Sequence, residues 1–272
     1  MIKPRYIVLL WLALLPLFPV RAEKTLSVLT WNTARMDYKH KPGENQVLRF
    51  LESQDADIVC LQEADGYKSE RFLTLPEVKK VMSRKYPYSF LDFSTYDKRH
   101  QFGTMVWSKY PLINKTSIHY ENRTANLSNR CDIVIGTDTF RLFNNHLQSY
   151  NFNHSDLDKF EKIEQKWKRA VPLRNKQAQV VRKEIDLSPY PVIVVGDFNS
   201  IPLSFTYLHI SRGLHDAWRA THLWDYGATC IKRGIGVRID YILSADPLLP
   251  RSSTIHDTKA SDHRPVSATL VW

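Results

Sequence analysis

Three absences narrow the reading of this 272-residue chain before any motif is considered. No pattern recurs at a period of roughly 20 to 50 residues, which excludes solenoids and propellers. No stretch is rich enough in Gly, Ser or Pro to serve as a linker, so the chain behind its N-terminal segment is read as one domain. Cysteine is scarce: the number and spacing of the three present argue against a zinc site. Cys60, inside the apolar "DIVCLQ", is expected to pack as a small hydrophobe, whereas Cys131 and Cys230 are available to pair in an oxidising compartment.

A long apolar run is also lacking. The run from Tyr6 to Val20 in "MIKPRYIVLLWLALLPLFPVRAEK" has 15 residues and is interrupted by Pro16 and Pro19, short of the roughly 20 that a spanning helix needs. Lys3 and Arg5 precede it and Val20-Arg21-Ala22 follows, the layout of a signal peptide cut after Ala22. The expectation is therefore export to the periplasm or beyond, with residues 1–22 as leader and 23–272 as the working domain. An uncleaved membrane anchor is the rival reading.

What remains is ordinary globular material, 43% hydrophobic and 24% charged. The net charge is +10, or +7 without residues 1–22, which hold Lys3, Arg5 and Arg21. Such a balance suits nucleic acid, phospholipid head groups or phosphorylated small molecules, and serves solubility equally well.

Short apolar runs at 26–31, 57–62, 103–108, 140–145, 191–196, 238–244 and 266–272 read as strands. Helices are expected at 45–54, from Pro76 to about Lys85, and after Ser155, where Ser155 and Asp158 have capping-box spacing. Pro172 should break or kink that last helix, with another following over 173–185. Alternating strands and helices imply an α/β or α+β class with a mixed sheet. The basic residues of this region, Arg174 among them, are read as a solvated outer face. In "HDAWRATHLWDYG" (215–227), Trp224 and Tyr226 are the aromatics expected near a surface, with Tyr96 a further rim aromatic.

The informative feature is what stands at the strand ends. Asn32, Glu63, His146, and Asp197 with Asn199 follow four different strands, while Asp240 opens a strand and Asp262-His263 precedes another. The N-terminal end of an antiparallel strand lies beside the C-terminal ends of its neighbours, so all can share one rim. Glu63 and Asp262 are hard oxygen ligands and Asn32 a neutral one, a set suited to Mg2+ or Mn2+. A histidine held by a carboxylate handles protons near neutral pH, and Asp197, Asn199 and His146 suit alignment of a nucleophile and stabilisation of phosphate charge.

In order and spacing, "TWN", "LQE", "NHLQ", "GDFN", "RIDYIL" and "SDHRP" resemble the endonuclease/exonuclease/phosphatase superfamily, from about Leu26 to Trp272. The resemblance implies a four-layer α/β/β/α sandwich, two packed mixed β-sheets flanked by helices. It further implies that Asn32 and Glu63 hold a metal, with Asp262 a further ligand. His263 would be general base or phosphate partner, oriented by Asp240; Asp197 would position or activate water, and Asn199 and His146 would stabilise the phosphate. Ala34 and "NNHLQ" depart from the abasic-site endonuclease pattern. The expected activity is that of an exported, monomeric, Mg2+- or Mn2+-dependent phosphodiesterase acting on nucleic acid or phospholipid, with peripheral membrane contact in the second case. Sphingomyelinase-like or inositol-phosphatase-like specificity, or a silent anion-binding module of the same fold, are the alternatives.

Overall fold

The computed structural model of the protein describes residues 23–272 except 97–99, 121–125, 151–159 and 233, and omits the side chains of residues 95, 96, 100 and 160. The expected leader, the Ser155/Asp158 capping box and the Tyr96 side chain lie outside the described residues.

In chain order, β1 (Thr25–Asn32), α1 (Gln46–Ser53), β2 (Ile58–Tyr67), α2 (Leu75–Met82), β3 (Tyr88–Tyr96) and β4 (His100–Ser108) form the first half. β5 (Leu112–Ile118), β6 (Leu127–Ile135), β7 (Asp138–His146), α3 (Phe160–Asp186), β8 (Val192–Asp197) and α4 (Phe205–Ser211) follow. The chain ends with β9 (His215–Asp216), α5 (Ala217–Thr221), β10 (Cys230–Lys232), β11 (Ile235–Val237), β12 (Asp240–Ser244), β13 (Leu249–Ile255) and β14 (Val266–Val271).

Two six-stranded mixed sheets result, ordered β13-β14-β1-β2-β4-β3 and β5-β6-β7-β8-β12-β9, with β10-β11 as a separate hairpin. Each sheet is built around one parallel pair, β1 with β2 and β7 with β8. A parallel pair needs a crossover, and α1 and α3 supply the two. Each pair has an antiparallel neighbour, β14 beside β1 and β12 beside β8.

The period-2 alternation of side chains divides the apolar residues among three cores. Leu26, Val28, Ile58, Cys60, Phe140, Leu142, Ile193, Val195 and Ile242 face the gap between the sheets. Leu29, Trp31, Val59 and Leu61 point outward to the α1 and α2 residues Val47, Leu48, Val78 and Val81. Phe143, Val192, Val194 and Leu243 point outward to Ala178 and Val181 of α3 and to Tyr207 of α4. Three cores separate four layers, the α/β/β/α sandwich that the motifs imply.

Several local expectations are corrected. The 57–62 strand does not stop at Glu63; β2 runs on to Tyr67 through a bulge in which Leu61 pairs with Met105 and Ala64 with Gly103. Pro172 does not divide its helix, since α3 is continuous over 27 residues. Pro172 is exposed, so the carbonyl one turn earlier that loses its N–H partner can be hydrated. All three cysteines are free and buried. Cys131 joins Cys60 in the inter-sheet core, whereas Cys230 bridges to His263, so Cys131 and Cys230 do not pair. Trp218 is buried, and Trp224 and Tyr226 are exposed.

Gly196 shows how tightly β8 is held. Its φ is +122°, and a Cβ there would lie 2.1 Å from the Asn145 carbonyl oxygen on β7. The glycine allows a close approach of neighbouring backbone just before Asp197. Gly196→Ala should therefore cost about 3 kcal/mol or more; urea denaturation with a loss below about 1 kcal/mol would refute this account.

Candidate active site

Along the inter-sheet face the side chains change from apolar to polar toward one end of the gap. Thr30, Gln62 and Asn144 form a buried polar layer: Gln62 Nε2 donates to Thr30 Oγ1 (3.0 Å) and to Asn144 Oδ1 (2.7 Å) across the gap. Two residues further along their strands stand Asn32 on β1 and His146 on β7, continuing the same faces. His146 is in register with Asp197, and Asp197 with Asp240, so three adjacent strands deliver three functional side chains in one row.

Asn32 joins the sheets at this level. Its Nδ2 donates to Asp197 Oδ2 (2.9 Å) and to Glu63 Oε1 (3.1 Å), and its Oδ1 accepts from Ala34 N (3.1 Å). Glu63 reaches the cluster from its bulge, where φ is +47°, and its Oε1 lies 3.5 Å from His146 Nε2, an ion-pair distance longer than a good hydrogen bond. Asp197 also accepts from the backbone N–H (2.7 Å) and Nδ2 (3.1 Å) of Asn199.

His263 arrives on the segment before β14. Its carbonyl accepts from Trp31 Nε1 (2.9 Å), its N–H donates to Ser261 Oγ (3.1 Å), and Ser261 Oγ donates to the Asn32 carbonyl (2.8 Å). The ring Nδ1 contacts both Asp240 carboxylate oxygens (3.0 and 3.1 Å), and Nε2 lies 4.0 Å from Asp197 Oδ2. Asp262 pairs with Lys232 Nζ (3.2 Å) and clusters with Cys230 and His263.

Charge compensation governs the protonation of the cluster. Burial works against the Glu63 carboxylate, but His146 and Asn32 outweigh it and hold its pKa at about 2. Burial likewise opposes charge on both imidazoles. Glu63 and Asp197 raise His146 nonetheless, and Asp240 and Asp197 raise His263 well above its ordinary value. Burial, with Asp240 adding repulsion, raises Asp197 despite the nearby histidines and Asn32.

The donors fit a hard divalent cation. Glu63 is partly exposed at the rim, Asn32 Oδ1 keeps a second lone pair, and Asp262 is a half-exposed carboxylate. Hard oxygen donors, two of them open to water and the third, Asn32, buried, match a magnesium or manganese site that retains water ligands. Cys230, Lys232 and Arg174 carry no strand-end signal and were not expected at the site. Arg174 could have been suspected from helical phase, because it falls on the buried stripe of Ala178, Val181 and Ile185.

The sequence profile of the endonuclease/exonuclease/phosphatase family matches residues 29–263. Among solved structures, the chain is similar to an endonuclease/exonuclease/phosphatase from Bacteroides vulgatus (16% identity, TM-score 0.66, covering 91% of this chain and 98% of that one). It is also similar to sphingomyelinase C from Streptomyces griseocarneus (16%, 0.64, 90% and 99%) and to truncated Caenorhabditis elegans TDP2 (20%, 0.62, 91% and 98%). No curated protein matches the sequence.

The pKa directions set a pH profile for the metal-free protein. Glu63 is depressed from 4.5, so its contribution is complete above 4.5 and is lost as pH falls toward about 2. His263 and His146 are raised from 6.5, so theirs are complete below 6.5 and are lost as pH rises through the folded values. Asp240→Asn should flatten the alkaline limb, measured by urea denaturation in chelator; an unaltered limb would contradict the Asp240–His263 assignment.

Proposed function

The chain belongs to the endonuclease/exonuclease/phosphatase family, and from that premise we propose that it is an exported, Mg2+- or Mn2+-dependent phosphodiesterase. Its substrates are nucleic acid or phospholipid phosphodiesters, attacked in line by water. The observation that carries this reading is Asp197. It is buried, hydrogen-bonded by Asn32 and Asn199, and faces His263 Nε2 across 4.0 Å.

Asp197, with its raised pKa, is the group that orients water and accepts its proton. His263, kept in its charged form by Asp240 and Asp197, donates from Nε2 to a phosphoryl oxygen. Asp240 fixes the ring through Nδ1 and so leaves Nε2 free for the phosphate. His146, whose ring nitrogens make no hydrogen bond, supplies a further donor as charge builds on the phosphate, whereas Asn199, whose Nδ2 hydrogens go to the Leu147 carbonyl and Asp197, acts by holding Asp197 in place. Glu63 and Asn32, with Asp262 as a further ligand, would hold the divalent cation, which when bound neutralises phosphoryl and leaving-oxygen charge.

The silent binding-module alternative is disfavoured by the intact Asp240–His263 and Asn32–Asp197 contacts, which simple anion binding does not require. The test is a screen of aryl phosphodiesters, single-stranded and duplex DNA, RNA, sphingomyelin and inositol phosphates with Mg2+ or Mn2+. Chelator should abolish hydrolysis, and His263→Asn should reduce kcat/KM by about 10^2 to 10^4. Glu63→Gln should raise the metal concentration needed for half-maximal activity. Turnover that survives both chelator and His263→Asn would defeat the proposal.

A further inference from the structure

Among the described residues three arginines are buried, and two of them have carboxylate partners. Arg141 pairs with Asp132 (2.7 and 3.0 Å) and Arg238 with Asp216 (3.0 and 3.1 Å). Arg174 on α3 is 2% exposed and has none. Its Nη1 donates to the Gln148 carbonyl (2.7 Å), its Nη2 to the Tyr150 hydroxyl, and the Tyr150 ring lies 4.3 Å away, while Nε has no partner. A guanidinium taken out of water without an anion is costly, and neutral acceptors offset that cost only in part.

Arg174 lines a cavity of about 730 Å³ beside the catalytic cluster. Asn199, which holds Asp197, is part of its wall, and Lys232 of the β10-β11 hairpin contributes a second cation. Trp167 on α3, together with Leu203 and Phe205, supplies apolar wall, each about half exposed or more. Lys232 is more than half exposed with Nζ 3.2 Å from Asp262, and Asn199 Nδ2 donates to Asp197 (3.1 Å), so the cavity adjoins the reacting centre at both of these contacts. A hydrocarbon chain in this cavity would leave Arg174 unpaired. An anion carried on a ring-bearing group satisfies the guanidinium and the aromatic wall together.

We propose that this cavity is a second-phosphate subsite, in which Arg174 and Lys232 bind the phosphate next to the scissile one and the intervening nucleoside lies against Trp167 and Phe205. The proposal rests on the phosphodiesterase reading and narrows its substrate class to nucleotides, whether a strand or a nucleoside bisphosphate.

The test compares the p-nitrophenyl ester of thymidine 5′-phosphate with the same ester carrying a 3′-phosphate, using the full chain with Mn2+. The 3′-phosphate should raise kcat/KM by roughly tenfold or more, and that ratio should fall toward one in Arg174→Met. Lys232→Met, at a partly exposed position, should lower it severalfold, which guards against a folding defect in the buried variant. Calorimetric titration of thymidine 3′,5′-bisphosphate and of thymidine 5′-phosphate into metal-free protein reads the subsite without turnover. There the bisphosphate should bind more tightly, and the difference should vanish in Arg174→Met. Equal ratios in wild type and both variants, equal binding of the two nucleotides, or preference for an alkyl-chain phosphodiester over the 3′-phosphorylated ester would overturn the subsite. Hydrolysis of neither ester would instead sink the phosphodiesterase reading and leave the subsite to be judged by the calorimetry.

Discussion

The gap between the two sheets is the constraint on which the site depends. Because alternate side chains of β1, β7, β8 and β12 face that gap, each strand needs apolar residues there for most of its length. At one end the requirement lapses, and the same face becomes free to carry Asn32, His146, Asp197 and Asp240. The buried amides of Gln62 and Asn144 mark the transition and bind the sheets together just below the functional row. These four groups are thus fixed by strands packed on both faces, and His263 by the segment before β14, which suits a reaction sensitive to small misplacement.

Such a row concentrates charge where water is scarce. Asp197, Asp240, His146 and His263 are all nearly inaccessible to solvent, and the arrangement is tolerable only because the carboxylates and imidazoles offset one another. Asp197 is the exception that matters. It sits beside Asp240 and bears the desolvation with only partial relief from the histidines and Asn32, so its proton affinity rises. A carboxylate placed in this way is a better base than one in water, and the same feature that strains the fold would prepare the proposed reaction.

Much of this was legible in the sequence, for a physical reason. A strand that ends on an acid, amide or imidazole breaks the alternation rule visibly, and several such breaks in order locate a rim. Glu63 was legible as a site residue but not as a bulge residue, because a left-handed turn inside β2 depends on pairing with β4. β3, β5, β6 and β13 were missed, as were the short β9, β10 and β11, since edge positions and mixed polarity, as in "LINKTSI", weaken the strand signal. Pro172 misled because an exposed proline in a long helix loses little that water cannot replace. Arg174 was read as solvated for its charge, although its helical phase with Val181 and Ile185 places it inward. Composition outweighed phase in that reading, and phase was the better guide.

The division of labour in the chain follows from where the polar residues enter. The central strands provide the groups on which the proposed reaction draws: Asn32, His146, Asp197, Asp240 and, from the segment before β14, His263. The cavity beside them is built otherwise, from α3 in the β7-to-β8 crossover, from residues 199–206 after β8, and from the β10-β11 hairpin. None of these three segments carries the inter-sheet core, so apart from Asn199, which holds Asp197, their residues can change without disturbing Asn32 or Asp197. Arg174 is set in a helix that the outer core does need, through Ala178 and Val181. A cation anchored on a structural helix at the edge of this cavity has a fixed place relative to Asp197, and in the proposed reading a charge on the substrate would bear on how the scissile bond is placed.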